Sequence, residues 1–277
     1  MAVSSSDAGL NRSPDIPRRA GRAWGAFPYS WATFAALIVA WQIVVDAFHV
    51  PKYLLPSPLV ILHDGIATWK ELAINTGVTS YETLLGFLLS IVIGVPLAIA
   101  LAASKAFERT FYPLIVATQA VPKVSVAPLL LIWFGYGLRP KIIIVVLVTF
   151  FPIVINSVVG LKSLSHNMHN LARSMGATSL QVFWRFQLPN ALPGIFAGLK
   201  VASLLAIIGA VVAEFVGADS GLGYVIMNAT ADINVPHQFS AIVLLSLMGI
   251  VFFALIERIE KFCLPWHISL RRDQVDV

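Results

Sequence analysis

The sequence predicts an all-α membrane protein of about six transmembrane helices, on three observations. Hydrophobic residues make up 58% of the chain and charged residues 12%, whereas charged groups form about a quarter of an ordinary soluble domain. Mean hydropathy is +0.82. Apolar runs of roughly 20 residues, the length that crosses the hydrocarbon core, occur at 29–48, 77–102, 112–134, 142–161, 194–216 and 239–263.

Polar termini flank a single transmembrane domain. Residues 1–28 are expected to form a flexible cytoplasmic tail, since the apolar run that follows is too long for a signal peptide. The transmembrane domain then covers 29–266, and 267–277 form a cytoplasmic C-terminal tail. The single cysteine, Cys263, excludes a disulfide framework.

Basic residues assign the two faces of the membrane. With both termini inside, the outer segments hold Lys52, Lys70, Arg139 and Lys141. The inner segments hold Arg12, Arg18, Arg19, Arg22, Lys105, Arg109, Lys162, Arg173, Arg185, Lys200, Arg258, Lys261, Arg271 and Arg272. The positive-inside rule therefore predicts cytoplasmic termini and a cytoplasmic connection at 163–193. The net charge of +5 follows from this bias, and no nucleic-acid partner is predicted.

Two outer segments break the pattern of spans. In 49–75, Pro56 and Pro58 end an extended stretch, and a short amphipathic helix is expected to reach Glu71. It is either an interfacial helix at the rim of the bundle or a contact for an external protein. After Gly223 the second segment, 217–236, turns apolar without completing a span, which is typical of a re-entrant or rim element.

Ionisable residues in or near the spans are candidates for a polar pathway. Lys123 lies between Pro122 and Pro128, so the third apolar run is expected to be interrupted where the charge lies. Exposing such a charge to lipid costs on the order of 3 kcal/mol, so it should face a bundle interior or a water-filled cavity. The full candidate set is Lys123, Glu82, Glu214, Gln119, Ser125, Asn156 and Ser157.

Each of these charges has a simpler interpretation. Glu82 and Glu214 are possible partners for Lys123, but both lie close enough to the outer surface to be solvated. Lys123 could instead snorkel to the cytoplasmic interface or bind a backbone carbonyl.

The 163–193 connection carries more pattern than a simple loop requires. Ser165 is predicted to cap one helix and Gly176 to end it. Thr178 with Gln181 forms a capping-box signal for a second helix, which Leu188-Pro189 is expected to end.

That second helix would place apolar side chains on a connector that has no lipid around it. These side chains are Val182, Phe183, Trp184 and Phe186. The connection is therefore predicted to dock onto a partner.

Small residues recur at every fourth position of the fifth span, at Gly194, Gly198, Ala202, Ala206 and Ala210. Such a row lets another backbone approach closely. The other backbone belongs either to a helix of the same chain or to a second subunit.

The connection resembles the cytoplasmic EAA loop of ABC importer permeases, whose pattern is Glu-Ala-Ala, a glycine four residues later, and Leu-Pro about a dozen residues further on. The matching residues are Leu171, Ala172, Gly176, Leu188 and Pro189 within the segment Asn170, Leu171, Ala172, Arg173, Ser174, Met175, Gly176 and Ala177. Asn170 replaces the acidic residue, which removes a carboxylate that could pair with a basic group of the ATPase.

Four further segments match in order between Leu55 and Trp266. They are LLPSP at 54–58, AVPKVSVAPLLLIWFGYG at 120–137, FFPIVINSVVGLKSL at 150–164 and AEFVGADSGLGYVI at 213–226. They resemble the permeases of nitrate, sulfonate, taurine and thiamine-precursor importers, with a slight preference for the pyrimidine thiamine-precursor branch.

The resemblance implies a type I ABC importer permease-like bundle with a coupling helix in the cytoplasmic loop, in a bacterial inner membrane. It also implies a second permease subunit, two ATP-binding subunits that bind ATP and Mg, and an extracytoplasmic substrate-binding protein. The solute would be small and polar or anionic. No nucleotide-binding signature is visible, because Gly217, Gly221 and Gly223 lack the Lys-Ser/Thr ending of a phosphate loop.

Two other function classes remain open. An ion-coupled secondary transporter would use midplane sites in broken helices and usually shows an internal repeat; no matching second half is visible. An intramembrane enzyme would need converging catalytic groups in the spans, but the six histidines fall in loops or at span ends.

Overall fold

The computed structural model describes residues 26–265, and every regular element in that range is a helix. The helices are α1 (Ala26–Ala47), α2 (Pro58–Ala67), α3 (Trp69–Ala103), α4 (Lys105–Thr118), α5 (Lys123–Phe134), α6 (Leu138–Lys162), α7 (His166–Ser174), α8 (Ser179–Val182), α9 (Leu188–Gly217), α10 (Leu222–Ala231) and α11 (Val235–Cys263). A π-turn, Phe183–Gln187, joins α8 to α9. Apart from the start of α1, the predicted tails lie outside the described residues.

Four helices in this range are long and apolar enough to cross a membrane: α3, α6, α11 and the continuous helix Ser179–Gly217. The pair α4 and α5 would make a fifth span. α1 coincides with the first predicted span and is apolar from Trp31 to Ala47. The order of helices thus follows the six predicted apolar runs.

The third predicted span is two helices that meet at 92°. Pro122 is the cause, because it lacks a backbone N–H and disfavours helical torsions at Val121. Residues 119–122 form the break, and α5 begins at Lys123. We call residues 119–125 the elbow. The expected interruption at Lys123 is confirmed, but 112–134 is not one straight span.

Helix α6 lies at the centre of the bundle and packs against α3, α5 and α9. Its contact with α9 is close because glycines face each other: a Cβ added at Gly194 would lie 2.8 Å from the Cα of Gly160. Further along the row, Ala202, Ala206 and Ala210 are fully buried. The small-residue row is therefore an intrachain contact, and its interpretation as a subunit interface is wrong.

A cysteine at Ala206 is accordingly expected to form no crosslink between subunits. The test replaces Cys263 by serine and adds a thiol oxidant to membranes that contain Ala206→Cys. A cysteine at Met175, which is 78% exposed, serves as the control for thiol labelling. A covalent dimer through position 206 would contradict the intrachain packing.

At the outer rim, α2 is fastened to the start of α11. Ser240 donates to Asp64 Oδ2 at 2.8 Å, and His237 Nδ1 lies 3.0 Å from the same oxygen. The predicted helix to Glu71 is wrong in one detail, because α2 ends at Ala67 and Glu71 already belongs to α3. These contacts favour the rim-helix interpretation of this segment.

Candidate functional site

Helices α7 and α8 are defined by the local signals that the sequence contains. Ser165 Oγ accepts a hydrogen bond from Met168 N at 3.3 Å and starts α7. At its end, Gly176 has a φ of +80°, which side chains other than glycine rarely adopt. The amide of Gly176 donates to Arg173 O and that of Ala177 to Ala172 O, the two bonds of a Schellman motif.

A reciprocal capping box then starts α8. Thr178 N donates to Gln181 Oε1 at 2.8 Å, and Gln181 N donates to Thr178 Oγ1 at 3.3 Å. Arg173 connects the two helices, since its guanidinium donates to Ser179 Oγ at 3.2 Å. The capping predictions for Ser165, Gly176 and Thr178 are confirmed.

The expected helix end at Leu188-Pro189 is wrong. Pro189 lies in the first turn of α9. In the first turn of an isolated helix the backbone N–H groups have no partner within the helix, so a proline is tolerated there. Here the helix is continuous, and the π-turn accommodates the proline: Leu188 N donates five residues back to Phe183 O. α8, the π-turn and α9 are thus one helix of 39 residues, Ser179–Gly217.

This segment is attached to the end of α6. Gln187 Nε2 donates to Leu161 O at 3.0 Å, and Asn190 Nδ2 donates to Ser163 Oγ at 2.7 Å. Val182 is buried, and Phe183 packs partly against the core. The prediction that Val182 is exposed is therefore wrong, whereas Trp184 is exposed at 59%.

Five other apolar side chains of α7 and its C-cap, α8 and the π-turn are exposed, and one of them, Trp184, also contacts the Phe183 ring edge to face. They are Met168, Leu171, Met175, Leu180 and Trp184. We call these five residues the docking surface. Beside them a groove of about 1180 Å³ runs between α4, α6 and the π-turn.

The elbow, in contrast, is polar. Gln119 and Ser125 are exposed, and Lys123 is half-buried. The Lys123 ammonium donates to Gln119 O at 2.7 Å and lies 5.0 Å from the centroid of the Phe151 ring. Phe151 is near the middle of the 25 residues of α6, so this charge is at about the mid-depth of the bundle.

A buried polar cluster closes the outer end of the bundle. Lys141 Nζ donates to Glu82 Oε1 at 2.6 Å, and the two residues are 5% and 2% exposed. Glu214 accepts from Thr79 Oγ1 at 2.7 Å and from Gly223 N at 2.6 Å. Glu214 therefore caps the N-terminal end of α10 and ties it to α3. We call these four side chains, Thr79, Glu82, Lys141 and Glu214, the outer cluster.

The predicted pairing of Lys123 with Glu82 or Glu214 is wrong, and so is the solvated placement of both carboxylates. Lys141, assigned to an outer loop from sequence, is their basic neighbour. The sequence does hint at this, because Lys141 directly precedes the apolar run at 142–161, and a lysine at that position can turn into the bundle. Asn156 and Ser157 belong to α6. Asn156 donates to Pro152 O of the same helix, and Ser157 is buried.

Comparison with known proteins decides the family. Residues 90–263 match the family model described as the binding-protein-dependent transport system inner membrane component. The chain belongs to this family. It is a multi-pass membrane protein and the permease subunit of an ABC importer, a finding that does not favour an ion-coupled secondary transporter.

Three curated relatives cover nearly the whole permease. The formylaminopyrimidine transport permease protein ThiX of Halalkalibacterium halodurans is 40% identical over 84% of this chain and 94% of its own. The riboflavin transport system permease protein RibX of Chloroflexus aurantiacus is 34% identical over 86% and 89%. The putative aliphatic sulfonates transport permease protein SsuC of Bacillus subtilis is 30% identical over 85% and 86%.

A solved structure supports the fold. A chain of the MetNI methionine ABC transporter in an inward-facing conformation superposes with a TM-score of 0.63 at 20% identity, covering 71% of this chain and 98% of that one. This likeness concerns the arrangement of the helices alone. It agrees with the predicted type I ABC importer permease-like bundle.

Proposed function

We propose that this permease couples the ATPase cycle of separate subunits to solute passage along the elbow, and that the docking surface receives the ATPase. Two copies of the chain, two ATP-binding subunits that hold ATP and Mg²⁺, and an extracytoplasmic binding protein complete the transporter. Both termini are cytoplasmic. Coupling involves Asn170 to Ala177 together with Leu188 and Pro189, as predicted from sequence.

The observation that carries the docking proposal is the build of α7 and α8. Two short helices are capped at each start and fixed to each other by Arg173, yet Leu171, Met175 and Leu180 are 57%, 78% and 67% exposed. A rigid apolar surface on the cytoplasmic side has no lipid to cover it, so a protein partner of matching apolar surface supplies the missing burial. Asn170 is uncharged, whereas the EAA pattern has a glutamate at this position.

The pathway proposal rests on the elbow. Non-helical backbone at membrane depth is tolerated where it is buried in protein or lines a water-filled cavity. Residues 119–122 and Ser125 are exposed on the isolated subunit, and Lys123 is half-buried. Water or a second copy must therefore cover this face. Asn156, Ser157, Glu82 and Glu214 support the walls of the pathway and hold the outer end of the bundle.

The solute is proposed to be small and polar or anionic. The names of the relatives include a formylaminopyrimidine, riboflavin and aliphatic sulfonates. The first of these has the highest identity of the three, which favours a pyrimidine thiamine precursor.

Replacing Gly176 by valine tests the docking proposal. The φ of +80° is strained for any side chain, by about 1 kcal/mol or more, although no atom lies in the way of a Cβ there. We expect Gly176→Val to reach the membrane at wild-type levels but to release the ATP-binding subunit during purification and to lose at least about tenfold in ATP-driven uptake.

Gly135→Val is the matched control. Gly135 also has a positive φ, +74°, and open space around it, but it lies at the opposite end of the bundle, between α5 and α6. Its ψ of −179° places it in a region that is essentially restricted to glycine, so valine there is strained as well, and the variant should still co-purify with the ATPase. If both variants retain the ATPase equally well, the docking proposal fails.

A further inference from the structure

The Lys123 ammonium differs from two other lysines of the bundle in having no counter-charge. Lys141 pairs with Glu82 at 2.6 Å, and Lys200 pairs with Glu260 at 2.8 Å. Among residues 26–265, Lys123 has no carboxylate partner. Its contacts are the Gln119 carbonyl and the face of the Phe151 ring. A cation at mid-depth thus remains available to a ligand.

The Phe151 ring is held in a fixed orientation. Phe150 and Phe151 contact each other edge to face, with ring centroids 5.4 Å apart and an interplanar angle of 81°. Phe150 packs against the hydrophobic core of the bundle. The core therefore holds the ring of Phe150, and this ring in turn limits the rotation of the Phe151 ring. The negative face of an aromatic ring attracts an ammonium within about 6 Å, and the 5.0 Å distance to Lys123 is inside this range.

We propose that Phe151 is the positioning residue for Lys123: its ring holds the ammonium at the elbow, where it attracts the electron-rich atoms of the solute, either the formyl oxygen and ring nitrogens of an aminopyrimidine or the charged group of a sulfonate. This inference rests on the proposed pathway along the elbow. An aromatic face suits this role because it orients the cation without neutralising it, as a carboxylate would. A cleft lined by charge of one sign raises the local concentration of counter-ions, and an ammonium without a counter-charge contributes to such a field.

A cysteine at Ser125 reports the potential at the elbow without knowledge of the solute. Ser125 is exposed and two residues from Lys123. In a Cys263→Ser background, the assembled transporter in membrane vesicles is treated with a sulfonate-bearing or a trimethylammonium-bearing methanethiosulfonate reagent. Both form a mixed disulfide with a thiolate and release methanesulfinate, so the ratio of their rates measures the preference for anions and each rate measures access of water.

We expect Ser125→Cys to react with both reagents and to prefer the sulfonate by about tenfold. Phe151→Leu, which keeps an apolar side chain but removes the ring, should lower this preference to about twofold. Phe151→Tyr should restore it, since the ring face is retained. Lys123→Gln should abolish it, and in that background Phe151→Leu should change nothing further. A cysteine at Ile250, exposed on α11, is the lipid-facing control and should stay unreactive.

Each failure has its own signature. If Ser125→Cys reacts with neither reagent, the elbow is not hydrated, and the proposed pathway and the positioning role both fall. If it reacts and Lys123→Gln removes the preference while Phe151→Leu does not, the pathway stands and the role of Phe151 is overturned. A change of preference by Phe151→Leu in the Lys123→Gln background also overturns it, because the ring then acts without the ammonium.

Discussion

Lys141→Ala should be the most destabilising single change in the outer cluster. Lys141 and Glu82 are almost fully buried and joined at 2.6 Å. Removing one partner of a buried ion pair leaves an uncompensated charge, which costs about 3 to 5 kcal/mol. Unfolding of the purified subunit in detergent should show a loss of this size, and uptake should fall because α3 and α6 lose the ion pair that joins them at the outer end.

Arg139→Ala is the matched control for Lys141→Ala. Arg139 lies two residues earlier on the same helix and is exposed, so its loss should change stability by about 0.5 kcal/mol or less. The double variant Lys141→Met with Glu82→Gln should recover much of the stability, because no charge is left without a partner. Equal losses for Lys141→Ala and Arg139→Ala would show that the pair contributes nothing.

Gly194→Leu should abolish the close contact between α6 and α9. A Cβ at this position would lie 2.8 Å from Gly160 Cα and 3.2 Å from Asn156 O. Both neighbours are backbone atoms, so the helices themselves must separate. Overpacking typically costs about 1 to 3 kcal/mol and occasionally more, and here the upper end is expected. Thermal unfolding of the assembled transporter measures the loss.

Gly77→Leu controls for the change of residue type in a helix. Gly77 is in α3, is exposed, and has no atom within 4 Å of an added Cβ. Leucine is the better helix former by nearly 1 kcal/mol, so this variant should be neutral or slightly more stable. A Gly194→Leu subunit as stable as the Gly77→Leu subunit would mean that the contact is looser than its distances indicate.

Sequence reasoning succeeded where a few neighbouring residues determine the structure. The caps at Ser165 and Thr178 and the positive φ at Gly176 involve hydrogen bonds over three to five residues, so the local pattern is sufficient. The interruption at Lys123 was predictable for the same reason, because Pro122 acts on the residue before it.

Predictions that depended on distant partners were less successful. Leu188-Pro189 has the local pattern of a helix end. The helix continues through it because the hydrogen bonds of the π-turn join α8 to α9. Lys141 was assigned to a loop because hydropathy gives depth along a helix but not the direction of a side chain. The partner of Glu82 is 59 residues away, beyond the reach of any short motif. The small-residue row was recognised, but its pattern carries no information about which helix it faces.

The unbroken helix from Ser179 to Gly217 has a mechanical consequence. Its 39 residues make a rod of about 58 Å at 1.5 Å per residue, and Gly194 and Gly198, which touch α6, lie near its midpoint. The contact with α6 continues to Gly209, and hydrogen bonds fasten the helix on both sides of it, at Gln187 to Leu161 O and at Glu214 to Thr79. Leu180 sits at one end and Glu214 near the other. We therefore expect a displacement at Leu180 to reach Glu214, about 51 Å away along the axis at 1.5 Å per residue, through the backbone of this one helix.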